Sequence, residues 1–168
     1  MKNLFLLFAI LLIGACKKDS TPYSSEFNTS LQKWAGYKSS VNNSYSYTVY
    51  QYISAGTGQY AETKITIQNG VVIGRTYTSH ATNANGPILV SWVEDKTTLN
   101  KNAGGAAAIT LDAIYDEAKA EWLTADNKNN TIYFETDDSG LIAMSGYSPK
   151  NCQDDCFVGV NIKSITSL

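Results

Sequence analysis

The chain has 168 residues, with 13 basic and 15 acidic side chains, one histidine, three cysteines and eleven tyrosines. A formal net charge of −2 at pH 7, with no basic stripe, excludes a nucleic-acid surface and does not suggest a polyanion partner. One histidine also excludes a metal site built on two imidazoles.

Lys2 gives a positive start, Leu4 to Ile13 is an almost unbroken apolar run, and Ile13-Gly14-Ala15 brings small residues up to Cys16. The run is too short to span a bilayer comfortably. An ordinary secretory signal or an apolar helix of the fold would also begin this way. The small residues before a cysteine instead predict lipoprotein processing, with cleavage before an acylated (palmitate-bearing) Cys16. The expected organisation is a signal peptide over 1–15, a lipidated cysteine and tether over 16–24, and one domain over 25–168. Removing residues 1–15 leaves about 150 residues, enough for one domain with a real core. The expected address is the bacterial cell envelope, at the outer membrane. The membrane is then the first partner, held through the lipid on Cys16.

Residues 17–24 are polar and read as a tether. Ser24 or Ser25 is a candidate N-cap. Phe27, Leu31 and Trp34 share one helical face, and Gly36 with the Ser-Asn stretch 39–44 is expected to end that helix. Tyr45 to Ile53 is strand-like. Tyr45, Tyr47, Val49 and Ile53 would face the core. Tyr50 and Tyr52 share the other face, where they either pack beneath a loop or the tether or make a candidate binding surface for a sugar, peptide or protein.

After a turn over 56–58, Tyr60–Gln68 and Val71–Ser79 flank Asn69-Gly70, a strong hairpin signal. A regular ladder from that turn sets Ile65 opposite Gly74 and Lys64 opposite Arg75. Ile65, Ile67 and Val72 then face the core, and Lys64 and Arg75 face water.

A polar loop over 80–87 leads to a strand over Ile88–Asp95, then a loop over 97–108. Thr110 is a plausible N-cap for a helix carrying Leu111, Ile114, Tyr115, Ala118 and Trp122 on one stripe. Asp112, Asp116 and Glu117 lie early in it, where the helix dipole favours negative charge. Thr131–Thr136 and Leu141–Tyr147 form a second hairpin, and Phe157–Ile165 a last strand. Runs of strands with two helices predict an α+β fold: one antiparallel sheet of six or seven strands with both helices on one face.

These parts resemble a family of uncharacterised bacterial lipoproteins that carry a domain of unknown function. The resemblance rests on Trp34 in a first helix, Tyr45-Ser46-Tyr47, the Ile65 to Val72 stretch around Asn69-Gly70, the Thr110–Trp122 helix, and Phe134-Glu135 with a following Gly140. It implies a lipid-anchored α+β protein and carries over no catalytic residue.

The candidates for chemistry are few. His80 lies in a Ser/Thr/Asn-rich stretch with no nucleophile elbow and reads as a surface loop residue. With Cys16 lipidated, Cys152 and Cys156 are an even pair in an oxidising compartment, expected to form a disulfide; buried reduced thiols are the alternative. Their C-x₃-C spacing lacks two further zinc ligands. Asp126, Asn130, Asp137 and Asp138 do not match a calcium loop, because Lys128 takes a ligand position and no glycine follows Asn130. Glu62 and Glu135 could serve glycoside hydrolysis only if the fold brought them together. No cofactor or metal is expected. The expected function is a non-catalytic binding or interaction module with a protein or glycan partner. The rival readings are an envelope hydrolase acting through carboxylates and a structural or assembly lipoprotein.

Overall fold

The computed structural model describes residues 21–54, 58–153 and 156–168. Cys16, the apolar run before it, Gly56 and the Asp154-Asp155 pair lie outside these residues. The elements are helix α1 (Ser24–Ser40), strands β1 (Tyr45–Ser54), β2 (Gln59–Gln68), β3 (Val71–His80) and β4 (Ile88–Asp95), helix α2 (Leu111–Glu117), and strands β5 (Asn130–Thr136), β6 (Ile142–Pro149) and β7 (Val158–Ser167). All strand pairs are antiparallel, in the order β4-β3-β2-β1-β7-β6-β5. The architecture is the expected α+β sheet with both helices on one face. The last strand lies beside the first, so the centre of the sheet depends on pairing the two ends of the domain. No helix among the described residues is long and apolar enough to cross a membrane.

The apolar stripe of α1 seats Phe27 and Trp34 in the core, with Leu31 packed against its margin. Neither Ser24 nor Ser25 caps the helix by its side chain. The cap position is Tyr23, at φ 63°, whose carbonyl accepts from Phe27 N at 2.8 Å. Its ring lies 6.4 Å from that of Phe134, so the chain engages the fold before the expected tether ends. Gly36 does not stop the helix either. A single glycine costs only about 1 kcal/mol, and the stop comes at Asn42 and Asn43, both at positive φ, with Asn43 N donating to Lys38 O at 2.8 Å.

Thr110 caps α2 as expected, its side chain accepting from Ala113 N at 3.3 Å. The helix then widens into a π turn over Ala118–Trp122, closed by Leu123 N donating to Ala118 O at 2.9 Å. This keeps Ala118, Trp122 and Leu123 in the core.

The core is rich in tyrosine, and its hydroxyls bind helix and sheet together. Tyr45 accepts from Leu111 N at 3.1 Å, serving an amide that the start of α2 leaves unpaired. Tyr47 donates to Ile109 O at 2.7 Å. Tyr115 accepts from Ile142 N at 3.0 Å and lies 2.7 Å from Ser30 Oγ. Burial pushes the Tyr45 hydroxyl up to about 12 and also raises Tyr47 and Tyr115. All three therefore stay neutral at physiological pH. Ile53, expected in this core, is exposed, because β1 runs past the covering helices.

The Asn69-Gly70 turn has the positive φ pair of a type I′ hairpin, 50° and 78°. Gln68 pairs with Val71 and Ile67 with Val72, as a two-residue turn requires. A bulge then corrects the expected register. Thr66 pairs with Gly74, Ile65 with Arg75 and Lys64 with Thr76. The extra residue, Ile73, reverses the alternation of everything beyond it. Arg75, expected in water, is 3% exposed and on the core face.

There Arg75 meets Glu94, which is 2% exposed. Arg75 Nε donates to Glu94 Oε2 at 2.7 Å and Nη2 to Oε1 at 3.0 Å. Arg75 also donates to the carbonyls of Asn102 and Ala106, while Glu94 accepts from the amides of Asn100 and Asn102. The pair thus holds the 96–110 loop against the sheet. The guanidinium lies 4.6 Å from the Trp92 ring, which stacks on Tyr77 at 5.0 Å. Arg75 and these amides hold the Glu94 carboxyl down to about 2, from an ordinary value of 4.5. A depressed carboxylate contributes stability that is complete above its unfolded pKa and is lost as pH falls through the folded one. The loop is therefore expected to loosen between pH 4.5 and about 2. Amide exchange at Asn100 and Asn102 should accelerate over that window beyond the rate change of unstructured amides; protection that survives at pH 2 would refute the clamp.

Candidate functional site

β1 and β7 pair from Tyr45 and Ser167 as far as Val49 and Ile162, with a bulge at Lys163 just before the end. Beyond that point the two strands part. β1 continues to Ser54 with β2 on one side, and β7 residues 158–161 pair with β6. The parting leaves a cleft of about 500 Å³. One wall is Val49, Tyr50, Gln51, Tyr52 and Ile53; the other is Phe157, Gly159 and Asn161. Successive strand residues point to opposite faces. Five consecutive β1 residues lining one cleft therefore mean that it takes in the strand's edge, while Tyr77 on β3 shows that it also reaches over the core-side face of the sheet. Tyr77, Gly104 and Gly105 form the floor. A second hollow of about 260 Å³ shares Val49, Gln51, Gly105 and Gly159 and extends under α2 to Ile114, Glu117 and Trp122.

The bulge explains the parting. An extra residue bends a strand and strengthens its twist. Lys163, the residue it inserts, forms an ion pair with Glu62, which also accepts from the Tyr60 hydroxyl at 2.8 Å. Burial pushes the Glu62 carboxyl up, but the hydrogen bonds from Lys163 and Tyr60 outweigh it and hold it below the usual range. Tyr60 in turn stacks on Tyr50 at 6.0 Å and meets Tyr52 edge-on at 5.6 Å. This aromatic group forms one lip of the cleft. Tyr52 is 62% exposed.

Cys152 and Cys156 form the expected disulfide, with Cα atoms 6.2 Å apart. The bond fixes Cys156, the residue immediately before Phe157, and so sets where the second wall begins. Gly159 continues that wall in an unusual conformation, φ 150°, paired with Gly146 of β6. A Cβ on Gly159 would strike the Ser145 carbonyl and Gly146 Cα. The two glycines thus let β6 and β7 approach more closely than side chains allow.

The other candidates lie elsewhere. His80 is the last residue of β3, not a loop residue, and its Nδ1 lies 2.8 Å from Gly86 O. Glu62 and Glu135 sit on β2 and β5, four strands apart. At about 4.8 Å per strand that is roughly 19 Å, well beyond the ~5–9.5 Å that glycoside hydrolysis requires. Asp126 and Asp137 use their carboxylates inside their own turns, on Lys128 N and Asn129 Nδ2 and on Ser139 and Leu141 N. Among the described residues no three His, Cys, Asp or Glu side chains cluster as metal ligands.

Tyr50 and Tyr52 are thus at the cleft. Gln51, Phe157, Gly159 and Asn161 are cleft residues that chain reading missed. The one available signal was a glycine inside the Phe157–Ile165 strand, which marks a bulge or a close backbone approach. No protein-family model, curated protein or solved structure matches this chain.

Proposed function

We propose that this chain is a lipid-anchored, non-catalytic binding protein of the bacterial envelope, and that its cleft receives an extended, uncharged peptide segment. The observation that carries the reading is the pair of strand edges, β1 beyond Val49 and β7 before Ile162, that face one cleft without pairing to each other. An unpaired edge offers a row of amide donors and carbonyl acceptors. A peptide strand satisfies such a row, and side-chain pockets along it supply selectivity. The walls and floor suit apolar or aromatic side chains: Tyr50, Tyr52 and Phe157 on the walls and Tyr77 on the floor, with Gln51 and Asn161 as the polar groups. The anchor reading rests on Ile13-Gly14-Ala15-Cys16.

Two measurements test these parts separately. Mass spectrometry of the protein from its native membrane is expected to find acyl chains on an N-terminal Cys16; an unmodified Cys16 within a longer chain would remove the anchor. For the cleft, uncharged hexapeptides selected from a displayed library are expected to shift the amide resonances of Gln51, Ile53, Gly159 and Asn161. Tyr52→Ser, at an exposed position, is expected to weaken their binding about tenfold, equivalent to ~1.4 kcal/mol. Shifts confined to the Tyr50 and Tyr52 rings, obtained with oligosaccharides and not with peptides, would replace the peptide by a stacked sugar.

A further inference from the structure

We infer that the hollow beneath α2 is the side-chain pocket of the cleft, and that it selects one large apolar side chain, of leucine or phenylalanine size, from the bound peptide. This rests on the peptide reading of the cleft and names what that peptide must carry. The hollow measures about 260 Å³ and shares Val49, Gln51, Gly105 and Gly159 with the cleft. Small-molecule pockets run from about 300 to 1,000 Å³, whereas an apolar cavity of about 150 Å³ already holds benzene. The space therefore fits one large side chain.

Strand geometry delivers that side chain. A peptide strand laid on the β1 edge beyond Val49 continues the sheet, and its successive side chains point to opposite faces. One set shares the face of Tyr50 and Tyr52. The other shares the face of Val49 and Val160, which are buried in the core with Ile114 of α2. On that face the hollow lies between the sheet, the loop before α2, and α2 with its π turn.

The lining selects the chemistry. Val49 and Val160 from the sheet, Ala106 and Ala107 from the loop, and Ile114 and Trp122 from the helix present apolar surface. The polar groups between them already have partners. The Tyr47 hydroxyl donates to Ile109 O. The Ala106 amide donates to Thr63 Oγ1, and its carbonyl accepts from Arg75. The Ile109 amide donates to Ala107 O. A polar side chain entering between these walls would give up water for groups that are already hydrogen-bonded, which is unfavourable. Among the described lining residues the one charge is that of Glu117, which is exposed. Its carboxylate opposes an acidic side chain at the same place.

The test follows the resonances of the full chain while the selected hexapeptides are titrated, together with versions carrying alanine, glutamate or lysine at each position in turn. The expected result is one position, apolar in the selected peptides, whose replacement by alanine weakens binding about tenfold or more. Glutamate there should weaken it further. The selected peptides should shift Ile114 and the Trp122 indole as well as Gln51, Ile53 and Asn161. Ala107→Leu, at an exposed lining position, should abolish the difference between the apolar and alanine peptides without lowering the melting temperature. Peptides that shift Gln51, Ile53 and Asn161 but leave Ile114 and Trp122 unmoved would overturn the inference and leave the cleft reading standing. So would an apolar preference indifferent to Ala107→Leu, or a lysine peptide that binds more tightly than the apolar one. Peptides that shift neither group would overturn the cleft reading and this inference together.

Discussion

Trp34→Ala is expected to lower stability by about 3–5 kcal/mol, the usual cost of emptying a buried aromatic site. For a domain of this size that is roughly 6–20 °C in melting midpoint. Trp34 is 1% exposed and lies between the sheet and the second helix. Its ring meets Tyr45 edge-on at 4.9 Å and stacks near Tyr115 at 6.3 Å. Its indole nitrogen donates to Asp112 Oδ1 at 3.0 Å. Alanine would leave a cavity against side chains from three elements, and backbone collapse cannot close it without breaking the Tyr45 and Tyr115 hydrogen bonds. Trp34→Phe separates the terms. It keeps most of the packing and removes the indole donor, while Lys38 still pairs with Asp112 at 2.7 Å. A loss of about 1–2 kcal/mol is expected there. Thermal melting followed by circular dichroism measures both; an alanine variant within about 1 kcal/mol of the parent would mean that α1 is not docked on the sheet as described.

Gly159→Ala is expected to cost about 2–4 kcal/mol, combining backbone strain at positive φ with overpacking. The added methyl would meet the Ser145 carbonyl and Gly146 Cα, both backbone atoms that cannot swing aside. β7 would have to move away from β6 and toward the cleft. The same variant should therefore lose peptide binding even at temperatures where it remains folded. Gly36→Ala is the contrasting control: nothing lies within 4 Å of its Cβ position, and alanine in a helix interior should stabilise by up to about 1 kcal/mol. Chemical denaturation of the three proteins gives the comparison. Equal stability of the Gly159→Ala and parent proteins would contradict the close β6–β7 approach.

Read from the chain alone, the element order came through because its signals are local. Phe27, Leu31 and Trp34 repeat at helical spacing. Asn69-Gly70 supplies the two positive-φ residues that a tight hairpin needs. Thr110 stands one residue before the α2 stripe. The Cys152–Cys156 bond was legible because the two cysteines are separated by only three polar residues and, with Cys16 read as lipidated, form an even pair. Each of these depends on residues a few positions apart, so short-range sterics and hydrogen bonding decide it.

The bulges and the cleft were decided by tertiary structure. Ile73 and Lys163 carry no local mark that makes them the extra residues in their ladders. Ile73 is a bulge because Arg75 gains a buried carboxylate partner on β4 when the alternation reverses. Lys163 is one where β7 twists away from β1, in a pairing that joins residues more than a hundred positions apart. The cleft exists only because those distant strands meet at one end and part at the other. Turn chemistry and side-chain periodicity act over a few residues and determined which segments are helix and strand. Where a strand inserts an extra residue, and where two strands separate, depends on contacts made only once the whole sheet has assembled.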